Sequence, residues 1–378
     1  MRSLVNLFVT LLLPSLLGSA LISWAFTRLP HILPDEANYR SSHTGIVPRG
    51  GGIALLIPLA LFGIYWLYSN DIPLRTPAGA LLIGSVFFSV LGFIDDMKSL
   101  PAMPRLLIQI FFAFTLSAFS SSDKITFFGT VEISGLSVLL FKTLWITAVV
   151  NFYNFMDGLD ALAGIQALFI SLFCAFSINY DRNILLATLP ATEAVFQDYQ
   201  YQAVMVMNLV LAFSLMGFLI WNKPKAKIFM GDSGSYLLGF FFAMQALLFP
   251  VYDTNTESIL QIHRHPVLLL TDFSYVALLI FPFLVDPCMT LILRFREKKK
   301  LMEAHREHLY QLLFQSGWSV TRVDLLFVLF NIILFLPAVM FLMTRSRTMY
   351  ILFYLFNVSV LSILFYYGNS SLRKQLKI

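Results

Sequence analysis

The sequence predicts an all-α protein, a single domain over residues 1–378, that crosses a membrane about eleven times. Of its 378 residues, 58% are hydrophobic and only 12% are charged, and the mean hydropathy is +0.76. A soluble core could not bury so much apolar surface. Eleven apolar runs also approach the roughly 20 residues that a helix needs to cross about 30 Å of hydrocarbon.

These runs follow one another along the whole chain with only short polar connections. The first, from Val5 to Phe26, resembles a signal peptide, but it is long and lacks a small-residue cleavage site, so we expect an uncleaved helix. The other ten spans are predicted at 52–69, 78–94, 105–120, 136–153, 161–178, 201–221, 233–250, 271–293, 323–343 and 349–367.

The basic residues predict the orientation of these spans. Of the 26 Lys and Arg residues, 18 fall in the segments 27–50, 95–105, 222–232, 294–322 and the tail from 368. Cytoplasmic loops retain positive residues, so we expect the N-terminus outside and the C-terminus in the cytoplasm. These cations flank apolar runs, which indicates a lipid bilayer and no nucleic acid as their partner. The same orientation brings seven polar residues to the inner face: Asp95, Asp96, Asp157, Asp160, Asp232, His305 and His308.

Two adjacent carboxylates end the third span. Asp95 and Asp96 repel each other, so a cation or a shared proton should accompany them. Lys98 and Arg105 could bind a phosphate there. The alternative is an acidic pair that only terminates a helix at the interface.

The segment from Asn151 to Asp160 carries a polar residue at every third position. On a helix, Asn151, Asn154, Asp157 and Asp160 would share one face, with Gly158 loosening the helix. Such a stripe cannot face lipid, and its oxygen ligands suit Mg²⁺, which binds a few carboxylates together with water and substrate phosphate. The alternative is a polar seam between helices.

Lysines and glycines surround a third acid. Lys223, Lys225 and Lys227 precede Gly231 and Asp232, and this combination suits a phosphate and a metal together. The alternative is that Asp232 or Ser233 only caps the next helix.

The last polar segment contains His305, Arg306 and His308. If it is helical, both histidines share a face with Gln311, but a third strong zinc ligand is missing. Arg306 and the imidazoles could contact a diphosphate or a sugar. The alternative is a solvated basic loop near anionic lipid.

Taken in order, these segments resemble the polyprenyl-phosphate N-acetylhexosamine-1-phosphate transferase family of membrane enzymes. The matching pieces are Val47–Gly52, Gly92–Asp96, Asn151–Ala163, Phe229–Gly234 and His305–Gln311, which together extend over most of the chain. The His-Arg-Glu-His-x-Tyr-Gln segment is similar to the bacterial branch that starts O-antigen-like surface glycans. The branch that uses UDP-MurNAc-pentapeptide for peptidoglycan is the alternative.

The resemblance implies a reaction between a UDP-N-acetylhexosamine and undecaprenyl phosphate at the cytoplasmic face of a bacterial inner membrane, with Mg²⁺ or Mn²⁺. In the family pattern Asp157 and Asp232 hold the metal, and Asp95 and Asp96 are catalytic on the lipid-phosphate side. The substrate-binding positions are Arg105, Asn154, Asp160, His305, Arg306 and His308. Transfer in one step and transfer through a phosphosugar-aspartate intermediate both stay open.

Two positions depart from the family pattern. Ala161 stands where many members have glycine, which alters the backbone freedom of the segment, and Met103 stands where a basic residue is frequent. Two other classes compete with the enzyme. An ion-coupled transporter would place its polar groups near the bilayer midplane, and a lipid-binding protein would not need three separate acidic motifs.

Overall fold

The computed structural model consists of apolar helices with two short hairpins. It describes residues 6–36, 46–119, 124–128, 131–188, 191–248, 273–300, 303, 305–344 and 346–377. A π-helical turn, Phe8–Leu12, leads into the first α-helix. In chain order the helices are α1 Leu13–Arg28, α2 Gly51–Ser69, α3 Pro77–Lys98, α4 Ala102–Phe119, α5 Leu136–Met156, α6 Leu162–Thr188, α7 Ala191–Asn222, α8 Gly231–Gln245, α9 Phe273–Leu279, α10 Phe281–Arg296, α11 Leu309–Gln315, α12 Val320–Thr344 and α13 Arg347–Leu376.

Within the described ranges, eight helices are long and apolar enough to cross a membrane. A ninth span forms if α9 and α10, which meet at a 77° bend, are counted as one. Helices also occupy the predicted spans 233–250 and 323–343, but α8 has only 15 residues, and α12 is described at side-chain level only in part. The polytopic helical class is therefore confirmed, while the number eleven stays a prediction. Val5 and the span ends at 120, 249–250 and 271–272 lie outside the described residues.

The bend between α9 and α10 frees backbone groups that lipid could not satisfy. Gln166 of α6 donates a hydrogen bond to the Leu279 carbonyl at 3.1 Å, and Asn331 of α12 donates to Gln166 at 2.6 Å. Buried amides therefore replace the lost helical partner, as a broken span requires.

Two antiparallel hairpins, which were not predicted from the sequence, lie between the helices. Strands β1 Pro34–Glu36 and β2 Ile46–Pro48 form one, and β3 Lys124–Phe127 and β4 Val131–Ser134 form the other. Just after β2, Arg49 forms a parallel bridge with Phe229. The backbone amides of Gly51 and Gly52 then donate to the carbonyls of Phe229 and Met230, both at 2.9 Å. These contacts join the loop before α2 to the loop before α8.

The start of α8 packs unusually close to α2 and α3. A Cβ on Gly52 would overlap the backbone of Ser233 and Gly234, and one on Gly92 would overlap the carbonyl of Asp232. Only glycine allows helices to approach this closely. The result is that the Asp232 segment lies directly against the end of α3 that carries Asp95 and Asp96.

Candidate functional site

The two neighbouring acids of α3 bind different partners. Asp95 is almost fully buried and accepts hydrogen bonds from Arg105 at 2.7 Å, the Leu100 amide at 2.7 Å and the Tyr236 hydroxyl at 2.9 Å. Asp96 accepts from the backbone amides of the α8 start instead. Each carboxylate thus has its own donors, so the pair does not need to share a proton.

Asp96 fixes the turn that enters α8. Its two oxygens accept from the amides of Asp232 and Ser233, both at 3.0 Å, and the Arg49 guanidinium lies 3.9 Å away. Gly231 has a φ of +72°, and a Cβ there would lie 2.7 Å from an Asp96 oxygen. The glycine therefore allows the carboxylate to reach both amides.

Asp232 and Asn154 connect α8 with the end of α5. The Asn154 amide donates to Asp232 at 2.7 Å and to the Ser235 hydroxyl at 2.9 Å. Asn151, one turn earlier, donates to Gln109 of α4 at 2.6 Å. Of these two amides, Asn154 is the one that contacts the acidic cluster.

The predicted polar stripe on one helical face is wrong beyond Asn154. Helix α5 ends at Met156, and Asp157 and Asp160 lie in the turn that follows. Asp160 accepts from the amides of Lys225 and Ala226 at 2.9 and 3.1 Å, so it holds the lysine-containing loop. Gly158 also does not loosen a helix, because it follows the helix end.

The half-buried Asp157 lies among other acids. Burial raises the pKa of Asp157 to about 8, and the charges of Asp232 and Asp96 raise it further than Arg49 lowers it. No group of three His, Cys, Asp or Glu residues in the described ranges forms a preformed metal centre. An excess of carboxylate charge with few protein ligands nevertheless fits Mg²⁺, which takes one or two carboxylates and completes its coordination with water and phosphate. Asp157 and Asp232 are therefore compatible with such an ion.

The histidine segment is not one continuous helix, so the helical face that both histidines would share with Gln311 does not form. Helix α11 begins at Leu309, and His308 is its N-cap, whose backbone amide donates to the Gln311 side chain at 3.3 Å. His305 precedes the helix, yet its ring centroid lies 4.9 Å from that of His308. Burial, followed by the nearby His308, lowers the pKa of His305 to about 3. His305 is consequently neutral near pH 7 and can form hydrogen bonds but no ion pair.

Tyr310 joins this segment to the end of α5. Its buried hydroxyl donates to the Phe155 carbonyl at 2.9 Å and accepts from Gln311 at 3.0 Å. Gly158 provides the space, because a Cβ there would overlap the Tyr310 hydroxyl. This contact places the two histidines beside the turn that carries Asp157.

Arg105, His305 and His308 line a common cavity of about 680 Å³. Aliphatic side chains such as Leu106, Ile110 and Leu144 form its walls, and Asn151 and Gln311 contribute further polar groups. Arg306 follows the lining residue His305 in sequence and is half-buried, but it does not line the cavity itself. The cavity therefore has largely apolar walls, to which one cation, two imidazoles and the acidic Glu303 are added.

Three polar residues near these groups were not predicted from the sequence to belong to the site. Arg49 contacts Asp96, Tyr236 contacts Asp95, and Asp286 lies fully buried next to His308. A charge inside an apolar run is costly, so Asp286, in the middle of a predicted span, carried a signal that could have been used. Arg49 lay within a matching segment without an assigned role.

The chain is similar in sequence to known polyprenyl-phosphate sugar-phosphate transferases. A family model described as "Glycosyl transferase family 4" matches residues 78–249. The decaprenyl-phosphate N-acetylglucosaminephosphotransferase of Mycobacterium leprae is 28% identical over 342 residues, which are 83% of this chain and 79% of the relative. The probable undecaprenyl-phosphate N-acetylglucosaminyl 1-phosphate transferase of Bacillus subtilis is 26% identical, covering 81% and 76%. The phospho-N-acetylmuramoyl-pentapeptide-transferase of Thermotoga neapolitana is also 26% identical, covering 79% and 85%.

Proposed function

Because the chain belongs to the polyprenyl-phosphate N-acetylhexosamine-1-phosphate transferase family, we propose that it transfers N-acetylhexosamine 1-phosphate from a UDP-sugar to undecaprenyl phosphate. The products are undecaprenyl-diphospho-sugar and UMP. The reaction would be the first membrane step in the synthesis of an O-antigen-like surface glycan, at the cytoplasmic face of the inner membrane.

One observation carries this proposal: acidic motifs that are far apart in sequence lie together beside a cavity with an apolar section. Asp96 of α3 binds the Asp232 amide at the start of α8, and Arg105, bonded to Asp95, lines the cavity with His308. A polyprenyl phosphate needs an apolar surface for its chain and a cation for its head. A nucleotide diphosphate needs compensation of its negative charge.

Asp157 and Asp232 would hold Mg²⁺, which neutralises charge on the diphosphate when it is bound. Asn154 would keep Asp232 in place through their 2.7 Å hydrogen bond. Asp160, through its bonds to the 225–226 amides, would hold the lysine-containing loop at the nucleotide pocket. His305, Arg306 and His308 would contact the diphosphate and the sugar.

In the transfer itself, an oxygen of the lipid phosphate attacks the phosphorus that carries the sugar. The bond from that phosphorus to the bridging oxygen breaks, and UMP leaves with the bridging oxygen. A phosphate monoester, with a second pKa of about 6, is already largely ionised near neutral pH and needs little help from a base. Positioning of this oxygen is therefore the main requirement.

The contacts of the two α3 acids favour direct transfer over a covalent intermediate. Both Asp95 oxygens and both Asp96 oxygens accept hydrogen bonds, and Asp95 is also paired with Arg105. A carboxylate engaged in this way is a weaker nucleophile than a free one. We infer that Asp95 keeps Arg105 oriented toward the lipid phosphate, while Asp96 shapes the turn that presents Asp232.

For the sugar donor, the proposal has one specific alternative, the UDP-MurNAc-pentapeptide of the peptidoglycan branch. The Thermotoga neapolitana relative carries a name from the peptidoglycan branch at an identity similar to that of the Bacillus subtilis relative. The histidine segment, His305 to Gln311, favours the surface-glycan branch. A donor panel decides between the two branches.

The test is release of UMP by the purified protein in nanodiscs with undecaprenyl phosphate and Mg²⁺, compared with Mn²⁺. The donors are UDP-GlcNAc, UDP-GalNAc, UDP-FucNAc, UDP-QuiNAc and UDP-MurNAc-pentapeptide. We expect lipid-dependent UMP with at least one HexNAc donor. Lipid-dependent UMP from the pentapeptide donor alone would assign the chain to the peptidoglycan branch, and no UMP from any donor would contradict the proposal.

A charge-removing variant tests the metal role. Asp232→Asn should lower activity at limiting Mg²⁺ by at least tenfold, because it removes a ligand charge. Asp71→Asn is the matched control, since Asp71 is exposed in the loop before α3, at the opposite end of that helix from Asp95. Equal Mg²⁺ dependence of the two variants would remove Asp232 from the metal site.

A further inference from the structure

A carboxylate that the proposed reaction does not use lies next to His308. Asp286 belongs to α10 and has no exposed surface. A charge buried this deeply is costly unless several donors compensate it. The hydrogen-bond donors around Asp286 therefore indicate the role of this residue.

Among the described residues, the donors to Asp286 come from its own helix and from the histidine segment. One oxygen accepts from the Leu309 amide at 2.8 Å and the other from the Tyr310 amide at 3.3 Å. The Thr290 hydroxyl, one turn later in α10, lies 3.2 Å away. The oxygen bound to Leu309 also lies 3.6 Å from Nδ1 of His308.

A second buried cluster holds the residue before His308. The Glu307 carboxylate pairs with Arg294 of α10 and with Arg373 of α13, both at 2.8 Å. The Asn369 amide donates to the Glu307 carbonyl at 3.0 Å. The backbone on both sides of His308 is thus anchored to buried groups, so the imidazole is held in one place.

The carboxylate also selects between the two neutral forms of the ring. A proton on Nδ1 faces the Asp286 oxygen favourably, whereas a lone pair on Nδ1 would face a negative charge. With Nδ1 protonated, Nε2 is the nitrogen that stays available. Since His308 lines the cavity with Arg105 and His305, that nitrogen is the one able to serve a ligand there.

We propose that Asp286 is a positioning residue that anchors α11 and keeps His308 in its Nδ1-protonated form, with Nε2 free for the sugar-phosphate donor. The identity of that donor rests on the proposed function. The tautomer and the anchoring do not, because they concern only groups within the chain. Outer carboxylates that orient metal-bound histidines change activity by about 10- to 100-fold when they are removed, and we expect an effect of the same order for Asp286.

The first measurement needs no substrate. The protein is labelled with ¹⁵N-histidine in nanodiscs, and its imidazole shifts are recorded at alkaline pH, where the rings are neutral. His308→Gln identifies the resonances of His308. We expect Nδ1 to be the protonated nitrogen in the unaltered chain, and protonation at Nε2 would overturn the proposal without any variant at position 286.

The second measurement uses Asp286→Asn, which keeps the shape of the side chain but removes its charge. We expect the tautomer population of His308 to shift toward Nε2–H and kcat to fall about 10- to 100-fold with little change in the donor KM. Asp286→Glu should restore part of both. Thr290→Val is the control, because it removes a donor to Asp286 and keeps the charge, so the tautomer should stay unchanged.

Two further results would overturn the proposal. One is an unchanged His308 tautomer in Asp286→Asn, and the other is a shifted tautomer with unchanged kcat. If the unaltered protein turns over no UDP-sugar, the proposed function fails, but the tautomer measurements still decide whether Asp286 orients His308. The two failures are therefore distinguishable.

Discussion

Replacing Gly158 with alanine would put a methyl group into the space that the Tyr310 hydroxyl occupies. The added Cβ would lie 3.0 Å from Cζ of that ring and closer still to the hydroxyl oxygen. Tyr310 is fully buried, so the hydroxyl cannot turn toward solvent. The substitution should push Tyr310 away from α5 and separate the histidine segment from the Asp157 turn.

The cost follows from the hydrogen bonds that would be lost. The Tyr310 hydroxyl bonds to the Phe155 carbonyl at 2.9 Å and to Gln311 at 3.0 Å. Each such bond contributes about 0.5–1.5 kcal/mol net, so losing both lowers the free energy of unfolding by about 1–3 kcal/mol. Activity should fall as well, because His308 adjoins Tyr310.

Thermal unfolding in nanodiscs and UMP release would be measured for Gly158→Ala and for Gly18→Ala. A Cβ on Gly18 meets no atom within 4 Å, so that control should be neutral or more stable by up to about 1 kcal/mol. In a Tyr310→Phe background the clash with the hydroxyl is gone, and Gly158→Ala should cost less. Equal costs in both backgrounds, or equal behaviour of the two glycine variants, would refute the steric reasoning.

Three further predictions concern the backbone, a cation and pH. Ala161 has a φ of +63°, so Ala161→Gly should raise the stability by about 0.5–1 kcal/mol in thermal unfolding, and a decrease would contradict this. Arg49→Gln should lower UMP release about tenfold, because the guanidinium lies beside Asp96, whereas the exposed Arg75→Gln should not. Since the pKa of Asp157 is raised to about 8, protons compete with the metal below that value. The Mg²⁺ concentration for half-maximal activity should therefore fall from about pH 6 to about pH 8, and a flat dependence would argue against a metal at Asp157.

The apolar segments were predictable because the cost of exposing polar groups to lipid acts on local sequence. Runs of apolar residues predicted a helix at each of the eight spans that meet the membrane criteria, although boundaries moved, as in α6, which extends to Thr188. Clustering of the acids was predictable for the same reason. Charged groups at helix ends avoid the lipid, so they face the interior of the helix bundle or water and thus come close to one another.

Local patterns failed where the chain changes direction. The spacing of Asn154, Asp157 and Asp160 predicted one helical face, yet α5 ends at Met156 and each residue has separate partners. In the histidine segment, the helix begins only after His308. The first amides of α11, those of Leu309 and Tyr310, bind the distant Asp286 and fix this start. Periodicity cannot report a helix end that a remote side chain creates.

The sequence by itself determined the membrane class and most of the helical segments, because solvation by lipid or water depends on composition over short stretches. Only the tertiary structure decided which carboxylate binds which donor. Those pairings depend on how closely the helices approach, as where Gly92 and Gly231 allow the start of α8 to lie against Asp96. Hydrogen bonds form over about 3 Å, and that distance is set by packing between residues far apart in the chain.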